Sequence, residues 1–392
     1  MKISFFSDAF FPQLNGVVTY VMETAQKLSE HGHEVSVFVP KPPRGTILNL
    51  NKFSFKIFYL PSFPVLIYPD FRMAIPLLPK LILDIKKLET EVIHIQAPFS
   101  VGTNGLMLGK VLKIPVVATC HSFIADKPFF EDFKLERLSD RLQSPLWSLY
   151  TSFHNLTDIV ICPTKAVQTE LSKYGLTKPS VVIPHGINFE SIQKGDRVGI
   201  FHYYKKFGLK STDKIAIYSG RLAADKNVET LIKIWKKVIF QIPNAKLLMI
   251  GSGPQEEKLK KLVKRLKLTG QVNFIGLVSR ETLIEKGLLR IGQIAVSASK
   301  IENPSYSLLE EMAFGLPIVA FRMRGIPEIV NEKNGRLAEP DDTDSFAEKI
   351  VELFSDQTQL INLSNGAKKR ALDFDLEKNI ESLENLYSKL IY

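Results

Sequence analysis

The sequence is poor in the residues that build disulfide and metal frameworks. Of 392 residues only two are cysteine and seven histidine. Cys120 and Cys162 both lie in apolar runs that read as strands, so they read as buried, reduced thiols. A chain of this length buries enough core to need no disulfide or metal staple. No uninterrupted apolar stretch reaches the length needed to cross a bilayer. At the N-terminus, Asp8 breaks the run of Ile3, Phe5 and Phe6, and Pro12 follows, so no signal-peptide core forms. The expected location is cytoplasmic, with peripheral attachment to the inner face of the membrane as an addition to it. There is no Gly-x-Gly-x-x-Gly, which argues against a dinucleotide oxidoreductase. Short repeats and low-complexity tracts are missing too.

Acids are outnumbered, 41 Asp and Glu against 51 Lys and Arg, a formal charge of +10. A basic protein can serve nucleic acid or an anionic membrane equally well, and charge alone does not choose between them. The chain has no zinc or helix-turn-helix signature and no basic stretch interleaved with aromatics, so no nucleic-acid partner is expected.

What is present is a rhythm. Short apolar runs alternate with longer amphipathic ones, as in a parallel sheet covered by helices. Strands are predicted at Ile3–Ser7, Val35–Val39, Lys56–Leu60, Val92–Gln96, Val116–Cys120, Ile159–Cys162 and Val181–Ile183. The first helix runs from about Val17 to Glu30 and stops at Gly32. Residues Pro184–Lys210 break the rhythm and read as a linker. It then restarts, with strands at Ile215–Ser219, Lys246–Ile250, Val272–Ile275, Ile294–Ser297 and Ile318–Phe321. After Asp342 the chain reads as helical to its end. Two such cycles give an α/β architecture of two Rossmann-like domains facing across a cleft, with C-terminal helices. Ligands of open parallel sheets bind at the carboxyl ends of the strands.

Four segments offer chemistry there, and each has a plain structural alternative. Gly16 closes the loop SDAFFPQLNG before the first helix, where backbone can approach phosphate, or is an ordinary turn glycine. Arg221 and Lys226 follow the first strand of the second half. Two cations so placed can clamp a diphosphate and neutralise a leaving group, or are solvated surface charges. In ENPSYSLLEEMAFGLPIV, Pro304 and Ser305 can start a helix, placing Ser305, Tyr306 and Ser307 in its first turn with N–H groups free for an anion. Glu302 precedes that helix and Glu310 lies inside it; Glu302 and the Glu310–Glu311 pair are also what a solvated helix start favours. His121, at the end of a predicted strand in ATCHS, can bond a substrate hydroxyl or move a proton, or is structural.

Taken together these segments resemble the retaining glycosyltransferases of family 4. The resemblance rests on Glu302-x7-Glu310 followed by Met312–Pro317, on SGRLAADKNVETLI, on IGSGP and VNFIGLV after it, and on IPHGIN at 183–188. It runs in order over nearly the whole chain. It implies an acceptor domain over 1–190, a nucleotide-sugar domain over 205–375, and a helix over 376–392 crossing back to the first. FSDAFFPQLNGVVTYV and the ATCHS histidine look most similar to the branch that glycosylates membrane lipids such as diacylglycerol.

The resemblance implies roles one position at a time. Arg221 and Lys226 would bind the donor diphosphate, Glu310 the ribose, and Glu302 the donor sugar near its 3- and 4-hydroxyls. His121 would contact the 6-hydroxyl or position the reacting centre, and Gly16 would let the first loop approach phosphate and acceptor. The implied reaction is retaining hexosyl transfer, glucose from UDP-glucose to a lipid hydroxyl. A mannosyl- or galactosyltransferase of glycan synthesis, or a silent nucleotide-sugar-binding scaffold, are the alternatives. Three positions depart from the pattern: Ser305 stands where glycine is frequent, Asn188 where aspartate is usual, and the stretch after His121 lacks the tyrosine- and glutamate-rich segment of the lipid-acting branch.

No cofactor or metal is expected. Asp342-Thr343-Asp344 has the Asp-x-Asp form of metal-dependent transferases but reads as a helix cap. KLKKLVKRLK at 258–267 reads as a helix packing Leu259, Leu262, Val263 and Leu266 on a sheet. Aromatic- and proline-rich residues 53–83, including FPVLIYPDF, are a candidate for shallow membrane insertion.

Overall fold

The computed structural model describes residues 1–13, 15–43, 45–46, 53–65, 68–75, 78–121, 136–194, 200–303 and 305–392, with the backbone alone at 68–70, 78, 136–140, 193–194, 200–201 and 281. Its strands are β1 Lys2–Phe6, β2 Glu34–Pro40, β3 Lys56–Leu60, β4 Ser62–Val65, β5 Tyr68–Ala74, β6 Val92–Ile95, β7 Val116–Thr119, β8 Ile159–Cys162, β9 Ser180–Val182, β10 Lys214–Ser219, β11 Ala245–Ile250, β12 Val272–Gly276, β13 Ile294–Ser297, β14 Ile318–Phe321 and β15 Gly335–Ala338. The contacts divide into two units. One comprises Met1–Ala125, Arg141–Gly186 and Leu376–Tyr392; the other comprises Asp126–Asp140 and Ile187–Asp375.

The first unit holds a seven-stranded sheet in the order β3-β2-β1-β6-β7-β8-β9, and every pairing in it is parallel. Strands buried on both faces should be continuous apolar runs. β6, β7 and most of β8 are buried at every position. The helix Gly16–Glu30 packs on β2, its Val18, Val21, Ala25 and Leu28 inward. Asn15 starts it by accepting the Val18 N–H at 3.0 Å. The last helix, Leu376–Ile391, belongs to this unit. It buries Tyr387, whose hydroxyl meets His94 Nδ1 at 2.7 Å, and pairs Glu377 and Glu384 with His31 at 3.1 and 3.0 Å.

The second unit repeats the plan with six parallel strands in the order β12-β11-β10-β13-β14-β15. Its core gathers Trp235, Phe346 and Phe354 with Leu259, Leu262 and Val263. The lysine-rich segment is thus a covering helix, Glu256–Arg265, its leucines inward and its cations outward. Asp342 caps the helix Thr343–Ser355, accepting the Ser345 N–H at 3.0 Å, while Asp344 takes Lys237 Nζ at 2.7 Å.

Three features differ from the sequence reading. β15 is an extra edge strand, only Gly-Arg-Leu-Ala, too short to show alternation. β4 and β5 form an antiparallel hairpin inside the aromatic stretch; Leu66 and Ile67 of FPVLIYPDF lie outside the described residues. The stretch read as a linker contains the helices Phe189–Lys194 and Ile200–Lys206, because Tyr203 finds a buried place in the second unit.

Asp8 ties β1 to the helix Ser100–Leu112. One carboxylate oxygen accepts from Ser100 Oγ and Val101 N, both at 2.7 Å, and the other from Gly102 N at 3.1 Å. Burial outweighs these bonds and lifts its pKa from 3.8 to about 6. A folded pKa raised above the unfolded one means stability present below about 4 and lost as pH rises through about 6. The stability advantage of the wild type over D8N should therefore shrink between pH 4 and 7, by on the order of 3 kcal/mol. Urea midpoints of both proteins across that range check it; a pH-independent difference would refute it.

Candidate active site

In the second unit the strand order reverses between β10 and β13, so the chain leaves these neighbours in opposite directions and their carboxyl ends open a crevice. The loop after β10 carries Arg221 and Lys226, and the loop after β13 carries Glu302. Glycines let the backbones come together. Gly251 has φ +129°, and a Cβ there would lie 2.0 Å from Gly220 O; one on Gly253 would lie 2.4 Å from Leu222 O. Leu222 N donates to Ser252 O at 2.9 Å and Gln255 N to Leu222 O at 3.0 Å. IGSGP is therefore a brace behind the cationic loop. Tyr218 pins the same loop by donating its hydroxyl to Arg221 O at 2.8 Å.

The side chains make a charge network. Lys226 Nζ is 2.7 Å from Glu302 Oε1 and 3.7 Å from Asp225, while Arg221 bonds Asp225 at 3.0 Å. The β13 loop is laced on from below: Lys300 N donates to Asp225 O at 3.0 Å and Ser299 Oγ to the same oxygen at 3.2 Å. Burial opposes the charge on Lys226, but Glu302 and Asp225 outweigh it and hold the ammonium above its ordinary pKa. Burial pushes Glu302 upward, with Lys226 opposing. The two cations are thus matched by two carboxylates.

The helix Tyr306–Ala313 starts at Ser305, whose hydroxyl makes no capping bond to it. Tyr306 is buried, and Ser305 and Ser307 are partly exposed; Pro304 lies outside the described residues. Glu310, one and a half turns in, is buried and receives Nε and Nη2 of Arg280 on one oxygen at 3.1 and 3.0 Å. Burial raises its pKa, Arg280 opposing. The network brings together Arg221, Lys226 and Glu302, with Glu310 on the helix that follows.

Gly16 and His121 belong to the first unit. Gly16 is exposed and is the first residue of its helix, one earlier than expected. His121 lies just beyond β7, only 7% exposed. Its Nε2 meets Gln96 Oε1 at 2.8 Å and its Nδ1 meets His185 Nε2 at 3.2 Å. The carboxamide oxygen can only accept, so His121 Nε2 carries the proton and Nδ1 accepts from His185. Burial, with His185 and His94 nearby, holds its pKa well below the ordinary value, so the ring is neutral.

Sequence reasoning missed Asp225, Arg280, Gln96 and His185 as parts of these sites. Asp225 and Gln96 stand beside strand ends and were open to discovery from position. Arg280 lies 30 residues before Glu310, and nothing local joins them. It also left Glu311 among solvent-facing acids, whereas its side chain is buried, 1% exposed, and meets Ser219 Oγ at 2.8 Å. Burial raises its pKa well above 4.5, against the favourable bond from Ser219. E311Q keeps the oxygen that accepts from Ser219 Oγ and should change Tm little. E311A removes the partner of Ser219 and leaves a void, costing about 2–4 kcal/mol. Thermal denaturation of both variants decides it; equal losses would refute the assignment of the acceptor role to Glu311.

The profile described as "Glycosyltransferase Family 4" matches residues 14–191, and that described as "Glycosyl transferases group 1" matches 201–370. An alpha-monoglucosyldiacylglycerol synthase of Acholeplasma laidlawii is 26% identical over 100% of this chain and 98% of its own. One from Streptococcus pneumoniae is 27% identical over 85% of this chain and 74% of its own. Among solved structures, Anabaena HepE in complex with UDP-glucose superposes with TM-score 0.80 at 18% identity, covering 99% of both chains. Two parallel-sheet units of Rossmann type, each matched by its own profile, make this chain a glycosyltransferase that joins a family 4 half to a group 1 half.

Proposed function

We propose that the chain transfers glucose from UDP-glucose to a hydroxyl of a diacylglycerol-type lipid, with retention of anomeric configuration and without a metal ion. The observation that carries the reading is the Lys226–Glu302 pair at 2.7 Å beside the strand-order reversal. It sets a cation suited to phosphate against a carboxylate suited to sugar hydroxyls, which are the two halves of a nucleotide sugar. The similarity to alpha-monoglucosyldiacylglycerol synthases, over 85% and 100% of this chain, supports the lipid acceptor and the glucosyl donor.

In this reading Arg221, Lys226 and the N–H groups at Ser305, Tyr306 and Ser307 bind the diphosphate and stabilise the charge that develops as it departs. Glu310 takes the ribose hydroxyls, with Arg280 orienting its carboxylate. Glu302 orients the sugar through its 3- and 4-hydroxyls. His121 contacts the sugar as a neutral ring, and Gly16 opens the first loop to phosphate and acceptor. The acceptor oxygen attacks the anomeric carbon on the face the diphosphate leaves. The bond from that carbon to the β-phosphate oxygen breaks with its electron pair on UDP, and a phosphate oxygen takes the hydroxyl proton.

Incubation with UDP-glucose, detergent-dispersed diacylglycerol and EDTA should yield UDP and an α-linked glucolipid in equal amounts. UDP release without glucolipid would move the acceptor elsewhere. Silence with every nucleotide sugar would leave only a binding scaffold. K226A and E302A should each lower kcat by about 100-fold or more, measured beside Tm because breaking a buried pair also destabilises. Near-normal turnover in either would remove its assigned role.

A further inference from the structure

In the first unit the strand order reverses between β1 and β6, with β2 and β3 on one side and β7, β8 and β9 on the other. The carboxyl ends of β1 and β6 therefore border the crevice in which open parallel sheets take ligands. On the β1 side Asp8 is already engaged, both its oxygens accepting from the start of the helix Ser100–Leu112. On the β6 side stands Gln96, directly after the strand. Its N–H donates across the reversal to Phe6 O at 2.9 Å. The backbone that follows is held close, because a Cβ on Gly102 would lie 1.8 Å from Ala97 O.

Gln96 is only 1% exposed. Its Oε1 accepts from His121 Nε2 at 2.8 Å. Its Nε2 is buried and has no hydrogen-bond partner among the described residues. Folded proteins rarely leave a buried donor unpaired, so this one calls for a reason. Loose packing is not the reason. His94, two residues earlier and equally buried, has both ring nitrogens satisfied, by Tyr387 and Thr119, each at 2.7 Å. Nor does His121 serve the amide, since its Nε2 donates to Oε1 and its Nδ1 accepts from His185 at 3.2 Å. A ring with both nitrogens engaged has no hydrogen-bonding atom to offer a ligand. The donor left at this strand end is the Gln96 amide.

We propose that Gln96 is a substrate-binding residue of the transfer reaction, its Nε2 donating to a hydroxyl oxygen of a bound substrate while His121 holds its Oε1. An uncharged carboxamide suits a neutral hydroxyl better than a phosphate. The resulting chain runs in one direction: His185 donates to His121, His121 to Gln96, and Gln96 to the ligand, each bond polarising the next. The hydroxyl is one of the transferred sugar or that of the lipid acceptor, which share this chemistry. The inference rests on the glucosyl-transfer reading for the identity of the substrate, and on burial and the missing partner for the site.

The test replaces Gln96 in the full chain. Q96M keeps the unbranched length and has no N–H donor; Q96E keeps an oxygen for His121 and also lacks the donor. Folding of each is checked by thermal denaturation. Both should lower kcat/KM by about tenfold. The loss falls on UDP-glucose, in acceptor-free release of UDP, if the oxygen is the sugar's. It falls on diacylglycerol alone if the oxygen is the acceptor's. Substrate analogues separate a direct contact from a structural role. In the first case one singly deoxygenated UDP-glucose should cost the wild type about tenfold and cost Q96M nothing further. In the second, the deoxy analogue of diacylglycerol should bind wild type and Q96M equally. Unchanged kcat/KM in both variants, or losses that no analogue suppresses, overturn the role. A wild type that releases UDP but makes no glucolipid moves the acceptor reading, and the donor comparison still decides Gln96. If nucleotide sugars bind without turnover, the same comparison is made on Kd by calorimetry. A wild type that binds none of them overturns both.

Discussion

Removing a carboxylate from water costs several kcal/mol, and a single well-placed cation recovers most of it only when the geometry is close. Glu302 is in that position, and Lys226 at 2.7 Å is the group that makes its burial tolerable. Much of the second unit serves this contact. Gly220 and Leu222 rest on the Gly251–Gly253 backbone, Tyr218 holds Arg221, and Ser299 and Lys300 bind Asp225. Each of these fixes where the lysine stem begins or where the glutamate loop ends. The lysine is therefore the structural partner on which the burial of Glu302 depends.

The two units use one topology for different electrostatics. Near the β10–β13 reversal the second unit sets opposite charges against each other, which suits a substrate that is itself anionic at one end and hydroxylated at the other. Beyond the end of β7 in the first unit the polar groups are neutral. His121, Gln96 and His185 form a chain whose tautomers are fixed by one carboxamide oxygen. A charged imidazole there would have no buried counter-charge among these partners, which is why burial dominates its titration.

The fold was largely legible because a parallel sheet advertises itself. Strands buried on both faces cannot be anything but short apolar runs, and twelve of the fifteen among the described residues lie within a residue or two of the predicted ends. β15 escaped because Gly-Arg-Leu-Ala has neither length nor alternation, and the β4–β5 hairpin because its exposed face is as apolar as a core strand. Site residues near strand ends were readable from position. Partnerships were not: Arg280 with Glu310, or Glu311 with Ser219, join residues 30 and 92 apart through tertiary packing that no local pattern encodes.

The last helix has a consequence for how the chain is made. β1 is made before any strand of the second unit, yet the first unit's core stays open until Tyr387 can reach His94. The second unit, whose main body is Ile187–Asp375, has its strands and covering helices complete earlier. On the ribosome, then, the half that begins first finishes last. The nascent first unit carries an unfilled seam while the whole of Ile187–Asp375 is made, and the later half can already have closed around its core.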